Sequence, residues 1–219
     1  MSDRLTRLVL IRHGESRAAV DQVVGGFQGC TGLSGLGVQQ SLALRDRLAT
    51  TAELDPVDLL LASVLPRAVE TAQLIAPALG LTPRDVIRDC DLCELHPGEC
   101  DGMAWEDFRR TYGDVDMRTN PYTPLSPGGE SLAEFHLRVG RTLTRLVADH
   151  DGRTVVIATH GGLINGSLEV WLGLPPAARR AALTPTNASI TEWSSRPDGR
   201  WQLDRYNDTA HLGALRFSE

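Results

Sequence analysis

The sequence predicts an α/β fold, a three-layer α/β/α sandwich around a mainly parallel sheet of about six strands. Two observations support this prediction. Short apolar runs typical of buried strands alternate with segments of helical periodicity, as in sheets whose strands are joined by crossover helices. With 219 residues, of which 42% are hydrophobic, the chain can bury a substantial core, and we expect residues 1–219 to form one domain.

The predicted strands are short runs rich in leucine and β-branched residues. They cover residues 6–11, 57–62, 86–89, 154–159, 188–193 and 201–206.

Two helices are predicted by stripes of apolar residues at helical spacing, over residues 68–79 and 132–147. Pro66 stands where the first of them begins, which suits a residue that lacks a backbone N–H. Ser131 and Glu134 have the spacing of a capping box and predict the start of the second helix.

Residues 90–128 interrupt this alternation, because the periodicity weakens and prolines and glycines become frequent. An excursion of this length in a compact domain is more often a functional lid or binding loop than filler. We therefore expect a loop-rich insertion over the sheet edge at which ligands bind in such folds.

Composition excludes several classes of partner. The formal net charge is −6, and no long basic cluster is present, which argues against a nucleic-acid or anionic-membrane surface. No run of eighteen apolar residues occurs, and the N-terminus lacks the apolar stretch of a signal peptide. The prediction is a soluble cytoplasmic protein, and a small anionic substrate stays compatible with its charge.

Two histidines closely follow predicted strands. His13 and His160 each follow an apolar strand candidate and precede a glycine, so we expect them to share a pocket at the carboxyl edge of the sheet. A lone histidine is usually a surface or core residue, and we interpret His136, His150 and His211 in that way.

Two arginines occupy comparable positions. Arg12 directly precedes His13, and Arg67 opens the helix after the next strand candidate. A helix N-terminus favours anions over cations, so an arginine there suggests a shared anionic partner, although a solvated first-turn arginine is the alternative. Guanidinium groups and helix-start amides suit a tetrahedral oxyanion, and the pattern favours phosphate recognition.

Five stretches resemble, in the family order, the histidine phosphatase superfamily, branch 1, the phosphoglycerate-mutase-like group. They are 10–16 (LIRHGES), 63–72 (SVLPRAVETA), 92–95 (LCEL), 127–131 (PGGES) and 159–162 (THGG). The resemblance implies the fold predicted above, with the insertion at 90–128 over the active site.

The resemblance also implies catalytic roles. His13 would be the nucleophile that forms a phosphohistidine, and Arg12, Arg67 and His160 would hold the phosphate oxygens, with His160 protonated. Glu94 would protonate the leaving alkoxide and then activate water. The reactive nitrogen of His13 must be neutral, so its other nitrogen should donate to a backbone carbonyl. We expect neither a catalytic metal nor another cofactor.

Three further residues are candidates for substrate binding. Ser16 is a candidate hydrogen-bond donor, and Gly161 begins the segment after His160. His96 stands two residues after Glu94 and either lines the pocket or is an exposed loop imidazole.

Other positions near the site carry different expectations. Ala19 and Gly25 stand where many relatives have polar residues, so two customary phosphate contacts are missing. Either water or backbone amides replace them, or the pocket suits a substrate whose remaining oxygens are bound differently. Trp105 and Phe108 are interpreted as core residues outside the site.

The cysteines other than Cys30 form the pattern Cys90-x2-Cys93-x2-His96-x3-Cys100. These are the ligand types of a tetrahedral zinc site, but their spacing is tight. We interpret them as free thiols of a reducing compartment. Zinc is the less favoured alternative, and a regulatory disulfide is a third alternative without support.

The function predicted is hydrolysis of a small phosphorylated metabolite through a phosphohistidine. The alternative is a 2,3-bisphosphoglycerate-dependent phosphoglycerate mutase, which would need extra cations and a lid that excludes water. Residues 94–128 contain only Arg109, Arg110 and Arg118 as cations, which favours hydrolysis. A non-catalytic phospho-ligand-binding module is a weaker alternative, because nucleophile and acid are both present. The natural substrate is not indicated, and a homodimer is one assembly compatible with the sequence.

Overall fold

The computed structural model describes residues 4–117, 119–174 and 183–216. Its six strands are β1 (Arg7–Arg12), β2 (Leu59–Ser63), β3 (Ile87–Asp89), β4 (Thr154–Thr159), β5 (Ile190–Ser195) and β6 (Trp201–Asp208). They form one sheet in the order β3-β2-β4-β1-β5-β6. Neighbours from β3 to β1 are parallel, whereas β5 is antiparallel to both β1 and β6. The predicted mainly parallel sheet is confirmed, and each strand begins and ends within two residues of its predicted bounds.

The described helices are α1 (Arg17–Val20), α2 (Gly35–Thr51), α3 (Pro66–Ile75), α4 (Trp105–Tyr112), α5 (Leu132–Asp149) and α6 (Gly161–Leu172). Both predicted helix starts are confirmed. Pro66 is the first residue of α3. At α5 the Ser131 hydroxyl accepts from the Glu134 amide at 3.3 Å, and the Glu134 carboxylate accepts from the Ser131 amide at 2.9 Å.

Strand β1 shows why the molecule has three layers. Successive side chains of a strand point to opposite faces of the sheet. Val9 and Ile11 pack in a core with residues of α2 and α3, whereas Leu8 and Leu10 pack in a second core with residues of α5 and α6. All four side chains are fully buried, so helices cover both faces of the sheet.

The insertion at residues 90–128 is more ordered than its composition predicts. It contains α4 and two 3₁₀ turns, at Cys90–Leu92 and Gly98–Cys100. Phe108 and Cys100 form a small core with Val24, a residue that follows α1. The insertion therefore packs on the segment after α1, and the two together enclose space above the sheet edge. Arg118 lies outside the described residues.

None of the described helices combines the length and the apolar character needed to cross a membrane.

Candidate active site

His13 and His160 meet at the carboxyl edge of the sheet. Arg12 at the end of β1 pairs with Thr159 at the end of β4, so the next residue of each strand is a histidine. The two ring centroids are 5.0 Å apart. Both residues are buried, with 6% of His13 and none of His160 exposed.

The hydrogen bonds of His13 define which nitrogen can react. Its Nδ1 lies 2.6 Å from the carbonyl oxygen of Gly14, and because a carbonyl only accepts, Nδ1 carries the proton. Nε2 is then the unprotonated nitrogen, and its lone pair accepts from the Nε of Arg67 at 3.1 Å. Burial, followed by the charges of Arg67 and Arg12, holds the pKa of His13 well below 6.5. The ring is neutral, as nucleophilic attack requires.

Arg12 and Arg67 bring positive charge to the same place. The Arg67 Nη1 donates to the Gly25 carbonyl at 2.7 Å, and the Arg12 Nη1 donates to the carbonyl of Pro185. Neither guanidinium forms an ion pair in the described part of the chain. The buried Nε of Arg12 also has no partner among these residues. Burial lowers the pKa of Arg12, because a charge held away from water is costly.

His160 is fully buried next to His13. Its Nε2 is 2.7 Å from the Ser63 hydroxyl oxygen, which also accepts from the Leu65 amide at 3.1 Å and faces the Cys93 thiol at 3.6 Å. With two donors on its oxygen, Ser63 donates its own proton to Nε2, so Nδ1 of His160 carries the ring proton. That Nδ1 is buried without a partner among the described residues.

His160 differs from the expectation of a protonated ring. Burial, then the charges of Arg67 and His13, hold its pKa well below 6.5, so the imidazole is neutral when no phosphate is bound. A bound phosphate dianion would raise the pKa of His160, because an opposite charge nearby favours the protonated form.

Glu94 is fixed by the first turn of α6. Its carboxylate accepts from the Gly162 amide at 3.0 Å. A Cβ atom at position 162 would overlap the Glu94 carboxylate, so the second glycine after His160 makes this close approach feasible. Glu94 also lines the cavity that contains His13.

The cavity at His13 has a volume of about 350 Å³. Five of the predicted site residues are on its wall: Arg12, His13, Ser16, Arg67 and Glu94. The predicted catalytic residue His160 is fully buried and is not on the described wall. A wider surface groove of about 1010 Å³ runs along α5, but none of these residues lines it.

Residues 8–209 match the family model of the histidine phosphatase superfamily (branch 1). The chain belongs to this family. A metal-independent phosphoserine phosphatase of Arabidopsis thaliana is 29% identical, over 99% of this chain and 87% of that protein. A 2,3-bisphosphoglycerate-dependent phosphoglycerate mutase of Brucella anthropi is 32% identical, over 77% of this chain and 82% of the mutase. The native structure of mycobacterial glucosyl-3-phosphoglycerate phosphatase has a TM-score of 0.75 and 30% identity, over 93% of this chain and 99% of that one.

Two predicted substrate-binding residues of this histidine phosphatase do not line the cavity. Leu95 and Pro97 are on its wall, but the intervening His96 is not. The His96 ring lies 5.3 Å from the ring of Phe27, which is not on the described wall either. Gly161 is the first residue of α6, where an added Cβ would lie 3.7 Å from the Arg12 Nε, so it adjoins Arg12 without reaching the cavity.

Ser16 lines the cavity but its hydroxyl is already engaged. The side chain caps α1 and accepts from the Ala19 amide at 3.2 Å. An accepting hydroxyl keeps its own proton available, so this bond is compatible with donation to a ligand.

The cavity wall also includes residues that the sequence does not predict to line it. Trp105 packs against the small core of Phe108, Cys100 and Val24 as expected, but it also lines the cavity, whereas Phe108 is 4% exposed and lies in that core as predicted. The two rings are 5.3 Å apart in an edge-to-face contact. Helix α4 therefore contributes one side chain to the cavity wall and one to the small core beside it. Ala19 and Gly25 are on the wall too, and Gly25 contributes its carbonyl to Arg67.

Sequence reasoning missed two residues of the site. Asn187 lines the cavity and donates from Nδ2 to the His13 carbonyl at 2.9 Å. No sequence signal indicates this contact between residues 174 positions apart. Ser63, which orients His160, had a usable signal, because it is a polar residue at the end of a buried strand.

Proposed function

We propose that this chain is a phosphomonoesterase that removes phosphate from small metabolites through a phosphohistidine at His13. One observation carries the proposal. The unprotonated Nε2 of a buried, neutral His13 is held beside two arginines at a cavity with a carboxylate on its wall. Phosphoryl transfer requires mainly such positioning and positive charge. A phosphatase also fits the family and the relatives described above.

In the first step, the phosphoryl group of the substrate lies between Nε2 of His13 and Glu94. A bond forms from Nε2 to phosphorus while the bond from phosphorus to the leaving oxygen breaks. Glu94 gives its proton to that oxygen, so an alcohol leaves. The guanidinium groups of Arg12 and Arg67 stabilise the equatorial oxygens, and the Nδ1–H of His160 donates to one of them.

In the second step, the carboxylate of Glu94 takes a proton from water as the water oxygen bonds to phosphorus. The phosphorus–nitrogen bond breaks, which returns His13 to its neutral form and releases inorganic phosphate. General acid–base catalysis of this kind contributes about 10²- to 10⁴-fold in rate.

The substrate class follows from the size and polarity of the cavity. A volume of about 350 Å³ is near the lower end of the range for small-molecule sites. Besides the charged groups, the wall includes Ala18, Ala19, Val23, Val24 and Trp105, which are apolar surfaces suited to the carbon skeleton of a small metabolite.

A mutase is the second candidate, since a phosphoglycerate mutase is among the relatives. It would need cations for the substrate carboxylate. In the insertion, Arg109 and Arg110 are exposed and absent from the described cavity wall, and Arg110 pairs with Asp107. The cations on that wall are Arg12 and Arg67, which the phosphoryl group occupies. This arrangement favours hydrolysis.

The test compares two rates on the same preparation. Release of inorganic phosphate from a panel of phosphometabolites is measured against interconversion of 2- and 3-phosphoglycerate, with and without 2,3-bisphosphoglycerate. Phosphate release that exceeds interconversion for the best substrate supports the phosphatase. Interconversion that dominates and requires 2,3-bisphosphoglycerate would replace it with the mutase.

The cytoplasmic location, the single domain and any homodimer stay predictions from the sequence.

A further inference from the structure

Cys90, Cys93 and His96 form a cluster on the far side of the Glu94 loop. Their two Sγ atoms and one ring nitrogen of His96 all lie within 4.8 Å of one another. None of the three residues is on the described wall of the catalytic cavity. Cys100, the fourth residue of the sequence pattern, is excluded from the cluster, and its thiol faces the Pro97 carbonyl at 3.3 Å.

The His96 ring is uncommitted within the described part of the chain. Its Nε2 is buried and has no hydrogen-bond partner among the residues that the structure describes. Its Nδ1 lies 3.7 Å from a carboxylate oxygen of Glu130, which is beyond hydrogen-bonding distance. A buried nitrogen without a partner among the described residues, on a ring that approaches two thiols, needs an explanation.

The backbone of this cluster is held in place by one ion pair. Arg138 donates to both carboxylate oxygens of Glu130 at 2.7 Å. The same guanidinium donates to the carbonyls of Asp91 and Cys93 at 2.8 and 3.0 Å, and Glu130 accepts from the His96 amide at 2.9 Å. These hydrogen bonds hold the backbone at both ends of the cluster, and Arg138 connects it to α5.

We propose that Cys90, Cys93 and His96 bind one Zn²⁺ ion, with solvent as the fourth ligand. Zinc–sulfur bonds of about 2.3 Å and zinc–nitrogen bonds of about 2.0–2.1 Å place the ligand atoms of a tetrahedral ion about 3.6–3.8 Å apart. Side-chain movements of about 1 Å would therefore complete the site from separations of at most 4.8 Å. Cys90 is exposed, which gives the ion an entry path and leaves room for water.

The binding step balances without a redox change. Zn²⁺ forms bonds to two sulfur atoms and one nitrogen, and the two thiol protons leave to solvent. The product has no net charge, because two thiolates neutralise the ion. Burial raises the pKa of the Cys93 thiol, and direct bonding to the ion is what would displace its proton.

The site adjoins the catalytic machinery through the chain. Its ligands at positions 93 and 96 flank Glu94, and the Cys93 thiol is 3.6 Å from Ser63, which orients His160. The ion would cross-link the loop that carries the proposed acid while staying outside the reaction itself. Its binding does not depend on the catalytic roles proposed above, so metal content is the readout and activity is not.

The experiment uses the full-length protein without a metal-binding tag, reduced and stripped with a chelator. Zn²⁺ is added, unbound ion is removed by gel filtration, and metal per chain is measured by elemental analysis. Co²⁺ serves as the second probe, since thiolate ligands give it a charge-transfer band. We expect one retained ion per chain and that band, with both lost in Cys90→Ser and His96→Gln.

Cys100→Ser is the matched control, because this cysteine is in the same loop but outside the cluster. It should retain the ion and the cobalt band. Cys90 is exposed, so its substitution leaves the buried packing intact. The proposal fails if the reduced wild-type protein retains no stoichiometric ion, or if Cys90→Ser retains as much as the wild type.

Discussion

At the scale of single residues, one hydrogen bond decides the chemistry of His13. The Gly14 carbonyl fixes the proton on Nδ1 and leaves Nε2 as the nucleophile. The charges of Arg67 and Arg12 favour the neutral form of the His13 ring. The same two guanidinium groups are placed to bind the phosphate anion of a substrate. The same charges that lower the pKa of the nucleophile would therefore stabilise the group it attacks.

Glu94→Gln tests the proposed acid and base. The amide keeps the size of the side chain but transfers no proton, so turnover of an alkyl phosphate should fall about 10²- to 10⁴-fold. Phosphate affinity should change little, because Arg12 and Arg67 remain. Steady-state kinetics and calorimetric titration with inorganic phosphate measure the two quantities. Glu99→Gln, an exposed neighbour in the same loop, is the control, and full turnover in Glu94→Gln would remove this residue from the mechanism.

At the scale of elements, one carboxylate adds three hydrogen bonds to the packing between the insertion and the segment after α1. The Asp101 carboxylate accepts from the amides of Gly26, Gln28 and Gly29, at 2.9, 2.8 and 2.9 Å. Gly26 and its neighbour Gly25 both line the cavity. Asp101 is thus a positioning residue for one cavity wall.

Asp101→Ala should loosen that wall. Loss of the acceptor leaves three amides without it, at a cost of about 1–3 kcal/mol in the free energy of unfolding. We expect KM to rise more than kcat falls, because Glu94 and His13 stay in place. Urea denaturation and steady-state kinetics check both effects. Asp107→Ala, which removes an exposed pair in the same insertion, should change neither, and an unchanged KM in Asp101→Ala would contradict this role.

The helices and strands differ in how well their positions can be predicted from the sequence. The buried strands are continuous apolar runs, and α5 has an apolar stripe with a capping box. Helix α2 was not identified, because its buried face includes Gly37, Gln40 and Ser41, which leaves no apolar stripe.

The residues of the site are likewise only partly predictable from the sequence. Histidines at strand ends are visible in the sequence, since parallel topology brings such ends together. Which side of a helix or loop faces the cavity is not visible in the sequence. For that reason Trp105 is not predicted to line it, and His96 is a candidate that does not line it. The contact of Asn187 with His13 depends on a chain reversal that no local pattern encodes.

At the scale of the whole molecule, buried histidines link stability to pH. Burial keeps His13 and His160 neutral with pKa values well below 6.5, and burial with the Arg47 charge lowers the pKa of His211 to about 4. The unfolded chain binds protons at these residues below pH 6.5, whereas the folded chain does not. Stability should therefore be lost as the pH falls from about 6.5, by up to about 1.4 kcal/mol per pH unit for each such histidine.

Urea denaturation without phosphate at about pH 7.5, 6.5 and 5.5 measures this dependence. The free energy of unfolding should be nearly level between the first two values and fall toward the third. His160→Gln should give a shallower fall, because one of the linked groups is gone. Constant or rising stability below pH 6.5 would contradict the neutral histidines.

The central claim is a covalent phosphohistidine at His13, and Glu94→Gln offers the most direct measurement of it. An aryl phosphate has a leaving group that needs no acid, so phosphorylation proceeds while attack by water lacks its base. Rapid mixing should release about one equivalent of phenol per chain in a burst, with phosphate recovered on His13 by peptide mapping after an alkaline quench. His13→Ala should show neither. Linear phenol release by Glu94→Gln at an undiminished rate, with no phosphate on His13, would contradict the account.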